Sequence, residues 1–262
     1  MPVTLDEILS STRGQLDSLR ARSAALTREA GDTPAPASFG AALTRPQIAV
    51  IAEVKRRSPS AGAIREDLDP AQRAELYASH GAAAISVLTD GPYFGGSLED
   101  LAEAVRRVSV PILRKDFILD ELQILEARVA GAAAVLLIVR ALARARLGHL
   151  LQFAREWGLE ALVEVHTPAE LSVALDAGSE IIGVNSRDLD TFRVDTGRAW
   201  EILRLVPRDR VAVAESGMAT VSDIELAGGA GADAVLIGTA LSASRSPAAL
   251  LEAFCRVTRG GR

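Results

Sequence analysis

Short apolar segments recur along the chain, and four of them follow a glycine at nearly constant intervals. These four begin at Gly81, Gly131, Gly178 and Gly231, which are 50, 47 and 53 residues apart. Four further apolar segments alternate with them and finish on charged side chains. A unit of two strands and two helices that occurs four times predicts eight alternating strand and helix pairs. The pattern therefore predicts an α/β fold, a closed (β/α)8 TIM barrel of parallel strands.

The strands and several helix starts can be placed from the same pattern. Strands are predicted near residues 48–54, 82–88, 110–115, 133–138, 160–165, 180–185, 211–215 and 233–238. Three helix starts carry a capping side chain followed by proline, which is favoured at the first helical position: Asp69-Pro70, Thr167-Pro168 and Ser246-Pro247.

Residues before the first strand form an N-terminal helical extension. Residues 4–30 have helical apolar spacing, and Thr4 with Glu7 makes a capping box, so one helix is predicted there. The connector GDTPAPASFG follows, and it either lies across a barrel mouth or serves only as a tether. A chain of 262 residues has the length of one such barrel, which is about 250 residues. We therefore expect a single domain over residues 1–262, with residues 1–46 packed on the barrel as helix and connector.

Composition excludes several classes of partner. A net charge of −5 and a pI near 5.4 argue against nucleic acid and anionic membranes as partners. The longest apolar run, residues 132–139, is too short to cross a bilayer, and the N-terminus has no signal-peptide pattern. Cys255 is the only cysteine, so no intrachain disulfide can form. We expect a cytoplasmic protein, either a monomer or a weak homodimer.

Polar and charged side chains stand at the ends of five predicted strands. They are Glu53, Lys55, Lys115, Glu164, Asn185 and Glu215. Because the carboxyl ends of all strands in a parallel barrel lie on one face, these groups should converge on one mouth. The sequence therefore indicates acid and base catalysis there. A ring of mutually neutralising ion pairs is the alternative interpretation.

The last two strands end on small residues that are suited to an anion. Ser216-Gly217 follows strand seven and Gly238-Thr239 follows strand eight, where barrel enzymes frequently bind phosphate. Alternatively, these glycines only permit tight turns. A phosphate beside carboxylates and lysines indicates a phosphorylated, sugar-like small molecule as substrate. Arg187 and Lys55 are placed to hold a second anionic group.

Other kinds of site are not indicated. Clustered Cys and His, HExxH, a Ser-His-Asp order, G-x-G-x-x-G and Walker A patterns are all absent from the sequence. We therefore predict neither a metal nor a cofactor. His166 follows Glu164, and an orienting or packing role is favoured for it.

Six motifs carry a resemblance to a known family over nearly the whole chain. They are IAEVKRRSPSAG from Ile51, PILRKDFI from Pro111, LVEVHT from Leu162, IIGVNSRDL from Ile181, VAVAESGM from Val211 and AVLIGTAL from Ala234. In this order and spacing they resemble indole-3-glycerol-phosphate synthase. The resemblance implies closure of the indole ring from 1-(2-carboxyphenylamino)-1-deoxyribulose 5-phosphate in tryptophan biosynthesis. Carbon dioxide and water are lost, and no cofactor is required.

The resemblance also implies roles for individual residues. Lys115 in KDF is similar to the family's general acid, and Glu164 in EVH to its partner in the dehydration. Glu53 and Lys55 correspond to catalytic or orienting groups, and Asn185 and Glu215 to groups that fix substrate hydroxyls and the lysines. The remaining implied positions are Ser58, Phe94, Phe117, Leu136 and Arg187 for the anthranilate end and its surroundings, and Ser216, Gly217, Gly238 and Thr239 for the phosphate.

Two departures from the family pattern and three alternatives remain at this point. Thr239 stands where serine is frequent, and Ala61 stands where lysine is common, which puts acid catalysis by the first loop in doubt.

One alternative is a Schiff-base aldolase that uses Lys115 as nucleophile. Another is phosphoribosylanthranilate isomerase, which is disfavoured because that family needs a cysteine at the end of strand one and Cys255 is far away in the sequence. The third is a phosphate-binding barrel without catalysis. We further expect Phe39 and its helix to cover the aromatic end of the substrate.

Overall fold

Eight parallel strands close into a barrel in the computed structural model, which describes residues 3–59 and 62–260. Each strand pairs with the next strand along the chain, and the eighth pairs with the first. No observed strand boundary differs from its predicted position by more than two residues. The predicted (β/α)8 barrel is therefore confirmed. The strands are β1 Ala49–Val54, β2 Ala84–Leu88, β3 Ile112–Lys115, β4 Ala134–Ile138, β5 Glu160–Val165, β6 Ile181–Asn185, β7 Val211–Glu215 and β8 Ala234–Ile237.

Helices surround the barrel, and three of them precede β1. In chain order they are α1 Leu5–Ala21, α2 Ser23–Asp32, α3 Phe39–Leu43, α4 Pro70–Ser79, α5 Gly91–Phe94, α6 Leu98–Arg107, α7 Glu121–Val129, α8 Arg144–Glu156, α9 Pro168–Asp176, α10 Thr196–Leu203, α11 Val221–Gly229, α12 Thr239–Ala243 and α13 Pro247–Cys255. A single 3-10 turn, Val139–Ala141, follows β4. Two short antiparallel segments, Arg57–Ser58 and Gly62–Ala63, pair in the loop after β1. None of the described helices is both long and apolar enough to span a bilayer.

Alternate residues of each strand pack on opposite sides of the barrel wall. In β1, Val50 and Ala52 belong to the apolar layer between the barrel and the helices. Ile51 belongs instead to the cluster that fills the barrel, together with Leu113 and Leu162. This alternation follows from the two-residue period of a strand, and it makes the interior a packed core. Within the described part of the barrel, space for a ligand remains at the mouth.

The N-terminal extension contains two helices where the spacing predicted one. The capping box of Thr4 and Glu7 is present, but the helix stops at Ala21 and the next one starts at Ser23. The Arg22 N–H donates to the carbonyl of Leu19, three residues earlier. A bond of this spacing forms the tight turn that is common at the end of a helix. Leu16 and Leu19 of α1 and Leu26 and Ala30 of α2 share one cluster with Leu125 of α7. Both sides of the break therefore pack on α7, and tertiary packing of this kind can override helical propensity.

The expectation that Phe39 covers the substrate is wrong, because α3 lies at the opposite end of the barrel. The carboxylate of Glu160, the first residue of β5, accepts hydrogen bonds from the N–H groups of Phe39 and Gly40. Phe39 is completely buried there. The start of α1 is the part of the extension that reaches the mouth side, since the Tyr93 hydroxyl in the loop after β2 donates to the Glu7 carbonyl at 3.5 Å.

Candidate active site

A cavity of about 420 Å³ opens at the carboxyl ends of the strands. Its volume lies within the usual range of small-molecule sites, which is roughly 300–1,000 Å³. Apart from Phe39, every described residue that the sequence predicted for the site lines this one cavity. They are Glu53, Lys55, Ser58, Phe94, Lys115, Phe117, Leu136, Glu164, Asn185, Arg187, Glu215, Ser216, Gly217, Gly238 and Thr239. Ala61 lies outside the described residues.

Lys115 ends β3, and its ammonium lies between two carboxylates. Its Nζ is 3.4 Å from Oε2 of Glu164 and 3.4 Å from Oε2 of Glu215. Burial lowers the pKa of Lys115, but the negative charges of Glu215 and Glu164 raise it by more, so the net pKa is raised. Lys115 is therefore an ammonium group that can donate a proton to a bound substrate.

The buried carboxyl groups around Lys115 differ in pKa. Burial raises the pKa of Glu215 to about 8, because the attraction of Lys115 only partly offsets the loss of water and the repulsion of Glu164. Burial also raises the pKa of Glu164, but Lys115, His166 and Asn185 outweigh it, so that pKa is lowered. Glu164 is therefore the more acidic of the two carboxyl groups, and Glu215 is the one that takes up a proton first as pH falls. A stronger and a weaker acid thus lie side by side.

Two glycines leave the space that the carboxylates occupy. A Cβ on Gly238, which follows β8, would lie 2.1 Å from Oε1 of Glu53. A Cβ on Gly183 in β6 would lie 2.0 Å from Oε1 of Glu215. Sequence reasoning assigned Gly238 only to the phosphate and missed Gly183. A glycine inside an apolar strand was the available signal, since it marks a close approach by another group.

Glu53 and Lys55 form a second ion pair at the mouth. Lys55 Nζ lies 2.6 Å from Oε1 of Glu53, and the two residues are two positions apart at the end of β1. Arg187, in the loop after β6, donates from its main chain to Oδ1 of Asn185 at 3.0 Å. Burial lowers the pKa of Arg187, and Glu53 opposes this. Lys55 and Arg187 therefore bring two cations to the same cavity.

An apolar wall occupies another side of the cavity. The rings of Phe94 and Phe117 lie with centroids 6.2 Å apart, and Leu136 of β4 also lines the cavity. Sequence reasoning missed Leu189 and Phe192, both in the loop after β6. Phe192 has φ 55°, and its carbonyl accepts a hydrogen bond from Nη1 of Arg187 at 3.0 Å. The only signal in the sequence was an aromatic residue shortly after a strand that ends in Asn185.

The residues predicted for the phosphate lie together at the ends of β7 and β8. Ser216 and Gly217 both have left-handed φ values, 65° and 76°. A Cβ on Gly217 would lie 2.7 Å from Cγ2 of Thr196, so glycine is needed there for space as well as for conformation. Gly238 and Thr239 begin the short helix α12. Non-glycine residues with positive φ are uncommon, and such strain concentrates at functional sites.

Comparison with known proteins agrees with this geometry. The family model described as indole-3-glycerol phosphate synthase matches residues 5–254. The chain is 48% identical to indole-3-glycerol phosphate synthase 2 of Streptomyces coelicolor, over 90% of this chain and 92% of the relative. It is 47% identical to the indole-3-glycerol phosphate synthase of Parafrankia sp., over 93% of this chain and 91% of the relative.

Solved structures with low identity share the barrel alone. A 3-hexulose-6-phosphate synthase superposes with a TM-score of 0.62 at 14% identity, covering 79% of this chain and 98% of that chain. A thiamine phosphate pyrophosphorylase from Pyrococcus furiosus gives 0.59 at 16% identity, covering 81% and 95%. The fold is therefore widespread, whereas the match along the whole sequence is specific. On that match, the chain belongs to the indole-3-glycerol phosphate synthase family.

Proposed function

We propose that the cavity at the barrel mouth binds 1-(2-carboxyphenylamino)-1-deoxyribulose 5-phosphate and closes its indole ring with the residues described above. Family membership supports the reaction, a decarboxylating ring closure in tryptophan biosynthesis. One observation carries the assignment of residues. The Lys115 ammonium lies 3.4 Å from Oε2 of Glu164 and 3.4 Å from Oε2 of Glu215, between an apolar wall and the glycine-rich ends of β7 and β8.

Each part of the substrate has a matching part of the cavity. The phosphate is held at the ends of β7 and β8 by main-chain N–H groups and by the hydroxyls of Ser216 and Thr239. The aromatic ring lies against Phe94 and Phe117, where its apolar surface is removed from water. Its carboxylate faces Lys55 and Arg187, whose charges it neutralises. The ribulose carbonyl then lies nearest to Lys115.

The first chemical step forms the carbon–carbon bond. The ring carbon that bears the carboxylate attacks the ribulose carbonyl, and the carbonyl oxygen takes a proton from Lys115. The carbon–carboxylate bond then breaks, carbon dioxide leaves, and the bonding electrons restore the aromatic ring. Protonation by a positioned acid accelerates such a step roughly a hundredfold or more. Lys115 is suited to it because the carboxylate of Glu164, 3.4 Å away, stabilises the ammonium until the oxygen becomes basic.

The second step removes water. The new hydroxyl takes a proton from solvent at the open mouth and leaves as water, and the neighbouring carbon gives up a proton to a base, which creates the double bond of the five-membered ring. We assign the role of this base to Glu164, which lines the cavity and has a lowered pKa because Lys115 and His166 outweigh its burial. Glu215 keeps its proton and donates a hydrogen bond to a substrate hydroxyl, which orients the leaving group. Asn185, which also lines the cavity and helps to lower the pKa of Glu164 after the larger effects of Lys115 and His166 outweigh burial, fixes the same region.

The charge state of Lys115 disfavours the aldolase alternative. A Schiff-base lysine must lose its proton before it attacks a carbonyl, so such lysines have a lowered pKa. The pKa of Lys115 is raised, because Glu215 and Glu164 outweigh the effect of burial. A stable lysine adduct after borohydride treatment of the enzyme with substrate would favour the aldolase.

The test is formation of the indole chromophore, followed by absorption or fluorescence with the carboxyphenylamino substrate. Lys55 and Lys115 are the only lysines in the sequence, whereas arginine supplies the other basic side chains. Lys115→Arg keeps the positive charge, but a guanidinium does not release its proton. We expect kcat to fall by at least roughly a hundredfold. Lys55→Arg is the matched control, because binding of an anion tolerates the exchange better than proton transfer does.

A Lys115→Arg enzyme that keeps most of its kcat would refute the acid role of Lys115. Absence of indole product from the folded wild-type protein would refute the proposed reaction itself.

A further inference from the structure

His166 lies directly behind Glu164 and joins it to a second carboxylate. Its Nε2 is 3.5 Å from Oε1 of Glu164, and its Nδ1 is 3.4 Å from Oε2 of Glu170. Only 7% of the His166 side chain is exposed. His166 is not among the described residues that line the cavity, so it reaches the substrate only through Glu164. The imidazole therefore lies between a reacting carboxylate and a carboxylate outside the cavity, within ion-pair distance of both, although neither ring nitrogen makes a hydrogen bond to them in this geometry.

Glu170 is held in place by the start of α9. Its N–H donates to Oγ1 of the capping residue Thr167 at 3.1 Å. Its Oε2 accepts the main-chain N–H of His166 at 2.7 Å. A carboxylate in the first turn of a helix is stabilised by the helix dipole, and the nearby charge of Arg140 adds to this. Glu170 is thus a fixed anion against which the imidazole is oriented.

The surroundings of the imidazole favour its charged form. Burial lowers the pKa of His166, but Glu170 and Glu164 raise it by more, with a further contribution from Glu215, so the net pKa is raised. The other groups near Glu164 are Lys115 from β3 and Asn185 from β6. Glu164 therefore has a cation on each side, with Lys115 at Oε2 and His166 at Oε1.

The second cation becomes important when the first one reacts. Lys115 gives up its proton in the carbon–carbon bond step and is then neutral. Without another positive neighbour, the buried carboxylate of Glu164 would be stabilised by protonation, and it could not act as a base. A charged His166 prevents this because it takes no part in the proton transfer.

We propose that His166, fixed by Glu170, is a positioning residue that keeps the carboxylate of Glu164 ionised and oriented throughout the reaction. This inference rests on the proposed role of Glu164 as the base of the dehydration. His166 itself does not touch the substrate.

The first test is the pH profile of His166→Gln. Glutamine keeps an N–H donor near Glu164 but carries no charge. The acid limb of the profile is the pH range in which kcat falls as the solution becomes more acidic. We expect this limb to move to higher pH by about one unit. At pH values below the limb, kcat should be roughly tenfold lower than in wild type, because one pKa unit is a factor of ten in ionisation. KM should stay within about twofold of wild type, since His166 does not line the cavity. Loss of packing alone would not move the limb.

His149→Gln is the matched control. His149 also places Nε2 beside a glutamate, 2.5 Å from Oε1 of Glu121, but it lies on α8 and does not contact the groups at the mouth described above. Its pH profile should equal that of wild type. An unchanged acid limb in folded His166→Gln would overturn the proposal.

The second test reads the charge of His166 directly and does not depend on a folded His166 variant. The chain has three histidines, so their ring signals can be assigned by NMR from single substitutions. We expect the titration midpoint of the His166 imidazole to lie above the ordinary histidine value of 6.5 in wild type and to fall in Glu170→Gln, because Glu170 is a main cause of the raised pKa. A wild-type midpoint at or below 6.5, or a midpoint that Glu170→Gln leaves unchanged, would overturn the proposal. Failure of the wild-type protein to make indole product would instead refute the proposed function, whatever the titration shows.

Discussion

At the scale of single residues, the site depends on two glycines without side chains as much as on its charged side chains. Gly183 and Gly238 lack the Cβ atoms that would collide with the carboxylates of Glu215 and Glu53. Gly183 lies in β6 and Gly238 directly follows β8, so each glycine comes from a different part of the barrel wall than the acid that it accommodates. The acids can therefore be buried with 1–2% exposure and still face the cavity. Burial is in turn the largest cause of the raised pKa of Glu215.

Gly183→Ala should damage catalysis more than stability. The new methyl group would lie 2.0 Å from Oε1 of Glu215, so the carboxyl group must move and Lys115 loses one of its partners. We expect kcat to fall by roughly a hundredfold, the size of effect seen when reacting groups are misplaced by about an ångström. Steady-state kinetics and a thermal unfolding scan would measure both properties.

Gly148→Ala provides the control for that substitution. Gly148 is inside α8, and a Cβ there would meet no atom within 4 Å. Alanine should stabilise the helix by about 0.5–1 kcal/mol and leave kcat unchanged. Equal kinetics for the two variants would show that the clearance at Gly183 is unimportant for the site.

At the scale of elements, the strands could be predicted from the sequence, but the N-terminal helices could not be placed. Strand limits follow from local apolar runs and from caps such as Asp69 before Pro70, which the chain carries in its own sequence. The helices on both sides of the break at Arg22 pack on α7, and the position of α3 depends on Glu160, more than a hundred residues away. No local pattern reports such distant partners.

Glu160→Ala tests where α3 lies. The carboxylate of Glu160 accepts bonds from the Phe39 and Gly40 N–H groups and from the Ser38 hydroxyl. Without it, the α3 amides lose their partners at the closed end of the barrel, so the free energy of unfolding should fall by about 1–3 kcal/mol. KM should not change, because the mouth lies at the other end. Urea unfolding and steady-state KM of this variant together test at which end of the barrel α3 lies. A raised KM would place α3 at the mouth.

At the scale of the whole molecule, topology explains why the site was easier to predict than its electrostatics. A parallel barrel carries all strand ends to one face, so residues as distant as Glu53 and Glu215 were expected to meet. The side-chain arrangement within that face could not be predicted. Which carboxyl keeps its proton depends on burial and on distances of a few ångström, and the bridge from Glu170 through His166 to Glu164 needs three side-chain conformations at once.

The proton on Glu215 should make the stability of the whole barrel depend on pH. Its pKa is about 8 in the folded state, because burial raises it from its ordinary value of 4.5. Between these values the folded state binds a proton that the unfolded state has lost, so the free energy of unfolding falls as pH rises. The contribution is complete below pH 4.5 and is lost as pH rises through about 8. His166, whose pKa is also raised despite burial, because Glu170 and Glu164 outweigh it, acts in the same direction.

Glu215→Gln removes this titration, so its urea unfolding free energy should decline less steeply than that of wild type between pH 5 and pH 9. Comparison with wild type cancels the contribution of His166 to a first approximation. Asp223→Asn is the control, because the pKa of Asp223 is lowered: hydrogen bonds from Ala219 and Thr220 outweigh its burial. Asp223 is thus ionised in both states over this range, and its variant should run parallel to wild type. Parallel curves for wild type and Glu215→Gln would mean that Glu215 is ionised in the folded barrel. The hydrogen-bond donor assigned to the dehydration would then have to be another group.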